Sequence, residues 1–164
     1  MLYFEPPYID QKEFTKALSI IDEVLEDPKA PPEFYFLGAS VYSEQEKYKQ
    51  AMPYIEKGYK IYPDQVRFLF LKGVYQEKLG QIEKAIASMR GVIAKDQTFS
   101  SAYNYLGYLY AERGENLDEA EELIKKALEL KPNDGYYLDS LGWVYYQKKD
   151  YEKALKFLRQ AVKV

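Results

Sequence analysis

Four glycines recur along the chain at an almost constant spacing. They are separated by 35, 34 and 35 residues and lie at Gly38, Gly73, Gly107 and Gly142. Each lies within a helix-length segment in which apolar and polar residues are mixed. Because a glycine inside a helix costs about 1 kcal/mol relative to alanine, its regular return requires a packing reason. A fixed period of this length is typical of proteins built from repeated helical units.

A second series of small residues follows the glycines. It runs at spacings of 34 or 35 residues through Ala17, Ala51, Ala85, Ala120 and Ala154. Small residues let two helices approach closely, whereas a larger side chain would force their axes apart. Short polar turns such as KLGQIEK and QKKDYEK separate the two series and have the length that joins antiparallel helices. The pattern therefore predicts helical hairpins that cross at a glycine and an alanine.

The residues around each glycine resemble the tetratricopeptide repeat. The fourth unit carries the motif most fully, at Leu138, Leu141, Gly142, Tyr145, Ala154, Leu158 and Ala161. The second unit departs from it, since Lys72 and Gln76 stand where leucine and tyrosine are usual. The resemblance implies an all-α fold: a right-handed superhelical solenoid of antiparallel helix hairpins, with four full repeats and a half repeat at the amino end.

The repeat pattern also predicts the domain organisation. We expect a single repeat domain over residues 11–164, preceded by an apolar amino-terminal segment over residues 1–10. The predicted units are a half repeat at 11–28 and full repeats at 31–64, 66–98, 100–133 and 135–164. Since the first unit supplies only a second helix, and no polar capping helix follows the last, we expect a segment of a longer repeat protein. The stretch DSLGWVYYQKKDYEKAL resembles bacterial members of the family.

Composition removes most enzyme mechanisms. The chain contains neither histidine nor cysteine, which excludes serine–histidine and cysteine–histidine nucleophiles, thiolate or imidazole zinc sites, and disulfides. The remaining candidates for acid–base work are carboxylates, lysine and tyrosine, for example the pair of Asp139 with Arg67 or the acidic cluster Asp118, Glu119, Glu121 and Glu122. That cluster opens a second helix, where negative charge suits the helix dipole. We predict no catalytic residue, no metal site and no cofactor.

Charge and hydropathy limit the partners. Lysine and arginine number 23 against 26 acidic residues, for a net charge of -3 without a basic run. This balance argues against binding to nucleic acid and against a basic membrane-binding face. The apolar stretches are far shorter than the roughly 20 residues needed to cross a bilayer, so we predict no membrane insertion. We expect a soluble chain, and the absence of cysteine is compatible with cytoplasm and periplasm alike.

The aromatic residues supply candidate binding positions. They make up 16% of the chain. In the tetratricopeptide repeat the first helices line the concave side, which implies inward-facing positions at the second, fifth, ninth and twelfth places of each unit. The candidate groove residues are Tyr35, Tyr42, Arg67, Phe70, Val74, Asn104, Tyr108, Tyr136, Asp139, Trp143 and Tyr146. Tyrosine and tryptophan suit recognition surfaces, yet each residue taken singly is equally compatible with packing between helices.

The groove positions also indicate the kind of ligand. Family members that bind the acidic carboxyl termini of heat-shock chaperones use lysine, asparagine and arginine at these places. This chain has Tyr35, Ala39 and Phe70 there instead. The resemblance therefore implies a more apolar ligand, oriented at a few points by Arg67, Asn104 and Asp139.

A further set of aromatic and apolar residues opens the second helices. It comprises Phe14, Tyr48, Ile82, Leu117 and Tyr151. Because this place packs between helices in the repeat, we assign the set to the core.

Two functions follow from these patterns. The first is a non-catalytic protein–protein interaction scaffold that binds a peptide or protein segment in an aromatic concave groove. The alternative is a structural module that forms homo-oligomers through exposed repeat ends, where an unpaired first helix and the final helix would leave apolar residues uncovered.

Overall fold

The computed structural model describes residues 11–164, and within them all regular secondary structure is α-helical. The helices are α1 (Gln11–Val24), α2 (Pro32–Ser43), α3 (Tyr48–Ile61), α4 (Val66–Lys78), α5 (Ile82–Lys95), α6 (Ser100–Arg113), α7 (Leu117–Leu130), α8 (Gly135–Gln147) and α9 (Tyr151–Ala161). The all-α prediction is confirmed. The predicted apolar segment over residues 1–10 lies outside the described residues.

The helices divide into two compact units, which adjoin in sequence at Leu79 and Gly80. The amino-terminal unit contains α1 to α4, and the carboxyl-terminal unit contains α5 to α9. One domain spanning residues 11–164 stays a prediction.

The amino-terminal unit is built around the hairpin of α2 and α3. Helix α1 packs on α2, and α4 packs on α3. The buried hydrophobic core comprises Ile21, Leu25, Ala30, Tyr35, Ala39, Ala51, Ile55, Phe68 and Tyr75. A Cβ atom at Gly38 would overlap the ring of Tyr54, so the glycine allows α3 to lie against α2. This is the packing reason that the repeating glycine required.

The carboxyl-terminal unit contains two hairpins, α6 with α7 and α8 with α9. Helix α5 packs on α6, and α8 packs on both α6 and α7. A Cβ at Gly107 would lie 2.6 Å from Cγ1 of Ile124 and 2.9 Å from the carbonyl oxygen of Ala120. A Cβ at Gly142 would lie 2.7 Å from Cγ of Leu158. The predicted close crossing of helices at glycines and alanines is therefore confirmed in this unit.

Helix α8 has a well-defined start because Asp134 caps it. The Asp134 carboxylate accepts hydrogen bonds from the backbone amides of Tyr136 and Tyr137 at 3.0 and 3.3 Å, as is typical of a helix N-cap. It also pairs with the Lys131 ammonium at 2.6 Å. Burial alone would raise the pKa of Asp134, but the bonds from Lys131 and Tyr137 outweigh it and lower that pKa. The first turn of α8 is thus fixed in place.

Candidate interaction surface

Helix α8 exposes one aromatic side and buries the other. The exposed residues are Tyr136, Asp139, Trp143 and Tyr146, whose spacing of three or four residues places them along one face of a helix. Tyr136, Trp143 and Tyr146 are 85%, 36% and 49% exposed. The opposite side buries Tyr137, Leu141, Val144 and Tyr145, among others. The aromatic side chains on the exposed side are therefore not part of the core of this unit.

The exposed rings contact one another. Trp143 stacks on Tyr146 with ring centroids 5.2 Å apart and planes inclined by 12°. Tyr146 also meets Tyr151 of α9, with centroids 5.7 Å apart and planes inclined by 60°. Three rings from two helices thus form a continuous aromatic surface.

The assignment of Tyr151 to the core was wrong. Its side chain is 59% exposed and lies beside the ring of Tyr146 at the start of α9. Tyr48, at the equivalent place of the amino-terminal unit, is half-buried and lies 5.6 Å from the ring of Tyr75. The repeat position is the same, but the neighbours that cover it differ.

Helix α6 lies parallel to α8 and contributes Asn104 and Tyr108. The hydroxyls of Ser100 and Ser101 are hydrogen-bonded to the Tyr137 hydroxyl at 3.0 and 3.1 Å. At the other end, the Gln147 side-chain amide donates to the carbonyl of Ala111 at 2.9 Å. Each of these bonds joins residues 36 or 37 positions apart. Residues in equivalent repeat positions are therefore neighbours on the two helices.

Two pairs of predicted residues occupy equivalent repeat positions on these adjacent helices. Tyr108 occupies the position equivalent to Trp143, and Asn104 the position equivalent to Asp139. Tyr108 is 36% exposed, and its hydroxyl donates to Glu112 at 2.9 Å. Asn104 is half-buried, and its Oδ1 has no hydrogen-bond partner among the described residues. We name the whole surface the aromatic face: Asn104, Tyr108, Tyr136, Asp139, Trp143, Tyr146 and Tyr151.

An ionic network holds α8 from its other side. Glu121 of α7 accepts a hydrogen bond from the Tyr145 hydroxyl at 2.7 Å and pairs with Lys148 at 2.6 Å and Lys125 at 2.7 Å. Burial alone would raise the pKa of Glu121, but these three donors outweigh it and lower that pKa to about 2. Lys148 also pairs with Asp118 at 2.6 Å. The network ties α8 to α7 and so fixes the orientation of the aromatic face.

Two predicted groove residues lie elsewhere. Tyr35 is only 1% exposed and packs edge-on against Tyr62 and Phe68, each with centroids 6.4 Å away. Burial, followed by the proximity of Tyr62, raises the pKa of Tyr35. Tyr42 is half-buried, lies 6.0 Å from the ring of Tyr54, and lines clefts between α1, α2 and α3. Neighbouring side chains cover the ring of Tyr35, so this residue does not line an open groove. Tyr42 lines a cleft, and its role in binding stays a prediction.

The remaining predicted residues lie on α4 of the amino-terminal unit. Arg67 is exposed, and its guanidinium carbon lies 4.5 Å above the Phe36 ring, which in turn stacks on Phe68 at 4.0 Å. Phe70 and Val74 are half-buried, and Val74 packs against the core of its unit. Arg67 is thus occupied by a contact of its own.

Residues 11–164 contain neither a candidate metal-binding cluster nor a candidate membrane-spanning helix. Among them, no group of three or more histidine, cysteine, aspartate or glutamate side chains could hold a metal ion. No helix in the same range is long and apolar enough to span a bilayer.

Comparison with known families agrees with this architecture. The model of the tetratricopeptide repeat matches residues 98–164, and the model described as anaphase-promoting complex, cyclosome, subunit 3 matches residues 10–92. The chain belongs to the tetratricopeptide-repeat family.

Curated relatives come from distant organisms. A TPR repeat-containing protein of Pseudomonas aeruginosa is 34% identical over 84% of this chain, and the match spans 23% of that protein. Anaphase-promoting complex subunit 3 of Schizosaccharomyces pombe is 30% identical over 87% of this chain and 21% of its own length. The tetratricopeptide-repeat chain therefore spans about a fifth of the length of these relatives.

Solved structures share the fold. MamA from Desulfovibrio magneticus is 23% identical, with a TM-score of 0.77 over 95% of this chain and 88% of its own. YrrB, described as a TPR protein with an unusual peptide-binding site, is 25% identical, with a TM-score of 0.70 over 93% of this chain and 78% of its own. Both are tetratricopeptide-like helical proteins of similar architecture.

Proposed function

We propose that the aromatic face binds a segment of another polypeptide. The observation that carries the proposal is the exposed stack of Trp143 on Tyr146, extended by Tyr151. Tyrosine and tryptophan dominate binding hot spots because they offer a large, stiff contact area with a polar tip. Their display on one side of α8, opposite a well-packed core, favours recognition over packing.

The aromatic face is also held in a defined geometry. Hydrogen bonds at both ends of α8 fix it against α6, and the Glu121 network fixes it against α7. A surface that is already ordered loses little conformational entropy when a ligand binds. The similarity to YrrB, a TPR protein with an unusual peptide-binding site, supports the same type of ligand.

The test begins with peptides displayed on phage as random sequences and selected on the immobilised chain. Selected peptides are then synthesised and titrated by calorimetry, and the fluorescence of Trp143, the single tryptophan, reports where they bind. We expect Tyr146→Ala to weaken binding about tenfold, as loss of a central aromatic contact does. Leu155→Ala serves as the control, because Leu155 has the same 49% exposure but lies on α9 outside the aromatic face.

Two results would contradict the proposal. One is the absence of any peptide that binds with saturation. The other is an equal effect of Tyr146→Ala and Leu155→Ala, which would show that the aromatic stack contributes nothing specific.

Self-association is the second candidate function. Helix α9 and the residues after it expose Leu155 (49%), Val162 (88%) and Val164 (70%), and apolar side chains of this kind occur at contacts between copies. Sedimentation velocity over a tenfold dilution range tests it. An apparent molecular mass that falls on dilution would favour self-association. A monomer mass that stays constant over the whole range would exclude self-association as the function.

A further inference from the structure

Asp139 is the only charged residue of α8, and it lies in the middle of the aromatic face. Its side chain is exposed. Among residues 11–164, no lysine or arginine pairs with it and no group donates a hydrogen bond to it. An acidic side chain between exposed rings is therefore available to a partner.

Two aspartates that flank Asp139 in sequence are paired with lysines. Asp134, at the start of the same helix, pairs with Lys131 at 2.6 Å. Asp150, at the start of α9, pairs with Lys153 at 2.8 Å. Lys131 lies near Asp139, but its ammonium group is engaged by Asp134 and also lies 5.8 Å above the Tyr137 ring. The chain itself thus supplies counter-ions to these neighbours and leaves Asp139 without one.

The surroundings of Asp139 suit a cation with an apolar stem. Tyr136 precedes it by three residues and Trp143 follows by four, so both rings lie on the same side of α8. Aromatic faces attract lysine and arginine cations. The chain already makes such a contact, since the Arg67 guanidinium lies 4.5 Å above the Phe36 ring.

A cavity of about 650 Å³ adjoins the carboxylate. Tyr136 and Asp139 line it, with apolar residues Ala161, Val162 and Val164 on one side. Lys131 and Asp134 also line it, and because they pair with each other at 2.6 Å the excess charge of the lining is the carboxylate of Asp139. Long basic side chains bury their methylene stems against apolar surface while the charged group reaches a polar partner. The cavity offers the apolar wall for the stem, and Asp139 offers the partner for the charge.

We infer that the peptide recognised by the aromatic face carries a basic residue, lysine or arginine, whose cation pairs with Asp139 between Tyr136 and Trp143. The inference rests on the proposed function and names the class of partner. An arginine is favoured over a lysine, because its planar guanidinium can bond a carboxylate with two donors and stack on a ring at the same time.

The test repeats the phage selection on the unmodified chain and on Asp139→Asn in parallel. Peptides selected by the unmodified chain should be enriched in arginine and lysine, and those selected by Asp139→Asn should not be. The control is Asp64→Asn, which makes the same change of charge at an exposed aspartate of the amino-terminal unit. It should return the same basic peptides as the unmodified chain.

A second measurement isolates the ion pair. The tightest selected peptide is synthesised with its basic residue replaced by citrulline, which keeps the shape of arginine but lacks its charge. We expect citrulline to weaken binding about five- to tenfold to the unmodified chain, and to have little effect with Asp139→Asn. The difference should shrink as salt is added.

The outcomes separate the two proposals. Selected peptides without basic enrichment, or equal binding of the arginine and citrulline peptides, would overturn the role of Asp139 and leave peptide binding standing. Failure to select any peptide would overturn both. Dimerisation that Asp139→Asn abolishes would assign the carboxylate to a second copy and overturn the inference.

Discussion

Two tyrosines of the amino-terminal unit, the buried Tyr35 and the half-buried Tyr62, differ in whether their hydroxyls have a hydrogen-bond partner. The hydroxyl of Tyr62 donates to the carbonyl of Ala30 at 2.6 Å. The hydroxyl of Tyr35 is buried and has no hydrogen-bond partner among the described residues. A buried polar group without a partner costs about 1–3 kcal/mol of desolvation, whereas a satisfied one contributes about 1 kcal/mol. The same residue type is thus unfavourable at one position and favourable at the other.

Replacing each tyrosine by phenylalanine tests this difference. We expect Tyr35→Phe to raise the free energy of unfolding by up to about 1 kcal/mol, because it removes an unsatisfied hydroxyl while keeping the packed ring. The matched change Tyr62→Phe should lower it by about 1 kcal/mol. Urea denaturation measures both. Equal destabilisation by the two variants would show that the Tyr35 hydroxyl has a partner in solution.

At the scale of one element, the carboxylate of Glu121 contributes to the contact between α7 and α8. Glu121 of α7 accepts a hydrogen bond from Tyr145 and pairs with Lys148. These two interactions join α8 to α7. Its pKa is lowered from 4.5 to about 2. A carboxylate whose pKa is lower in the folded state stabilises that state above its unfolded pKa, and the stabilisation disappears as the pH falls through the folded pKa.

The pH dependence of unfolding tests the role of Glu121. We expect Glu121→Gln to destabilise the chain by on the order of 1 kcal/mol at neutral pH, a figure reduced for partial exposure of the network. The difference from the unmodified chain should decline between pH 4.5 and about 2, the unfolded and folded pKa values. Glu129→Gln is the control, because Glu129 pairs with Lys126 at a side-chain exposure of 66% and should contribute little. A pH-independent difference would argue against the lowered pKa.

At the scale of the whole molecule, the two compact units contain four and five of the described helices, so each can enclose a core of its own. Every residue of the aromatic face belongs to the carboxyl-terminal unit, Gly80–Val164. In repeat proteins, stability is approximately the sum of the repeats' own stabilities and the contacts between adjacent repeats. Helices α6 to α9 make two hairpins with such a contact between them. The unit that carries the candidate site therefore contains the packing that shapes it.

This arrangement predicts that residues 80–164 fold and bind when produced alone. Far-ultraviolet circular dichroism should show a helical spectrum with a cooperative thermal transition. Peptides selected by the full chain should bind the fragment with affinities within about threefold, since their contacts all lie within it. The fragment with Tyr146→Ala is the control for specific binding. A helical fragment that does not bind would mean that the amino-terminal unit contributes to the site.

The sequence by itself determined the class of fold and the side of each helix on which residues lie. The glycines Gly107 and Gly142 predicted close helix crossings, because no other side chain fits at that separation. The spacing of Tyr136, Trp143 and Tyr146 predicted a shared face, because helical periodicity is a local property. Their role in binding stays a prediction.

Only the tertiary structure decided which positions are covered. Tyr35 shared the repeat pattern of the exposed residues, yet Tyr62 and Phe68 pack against its ring and it is buried. Tyr151 shared the pattern of a core position, yet it extends the aromatic stack. The lack of a counter-ion at Asp139 was equally invisible in the sequence. Burial and pairing depend on which neighbours approach in space, and a one-dimensional period specifies a residue's direction but not its surroundings.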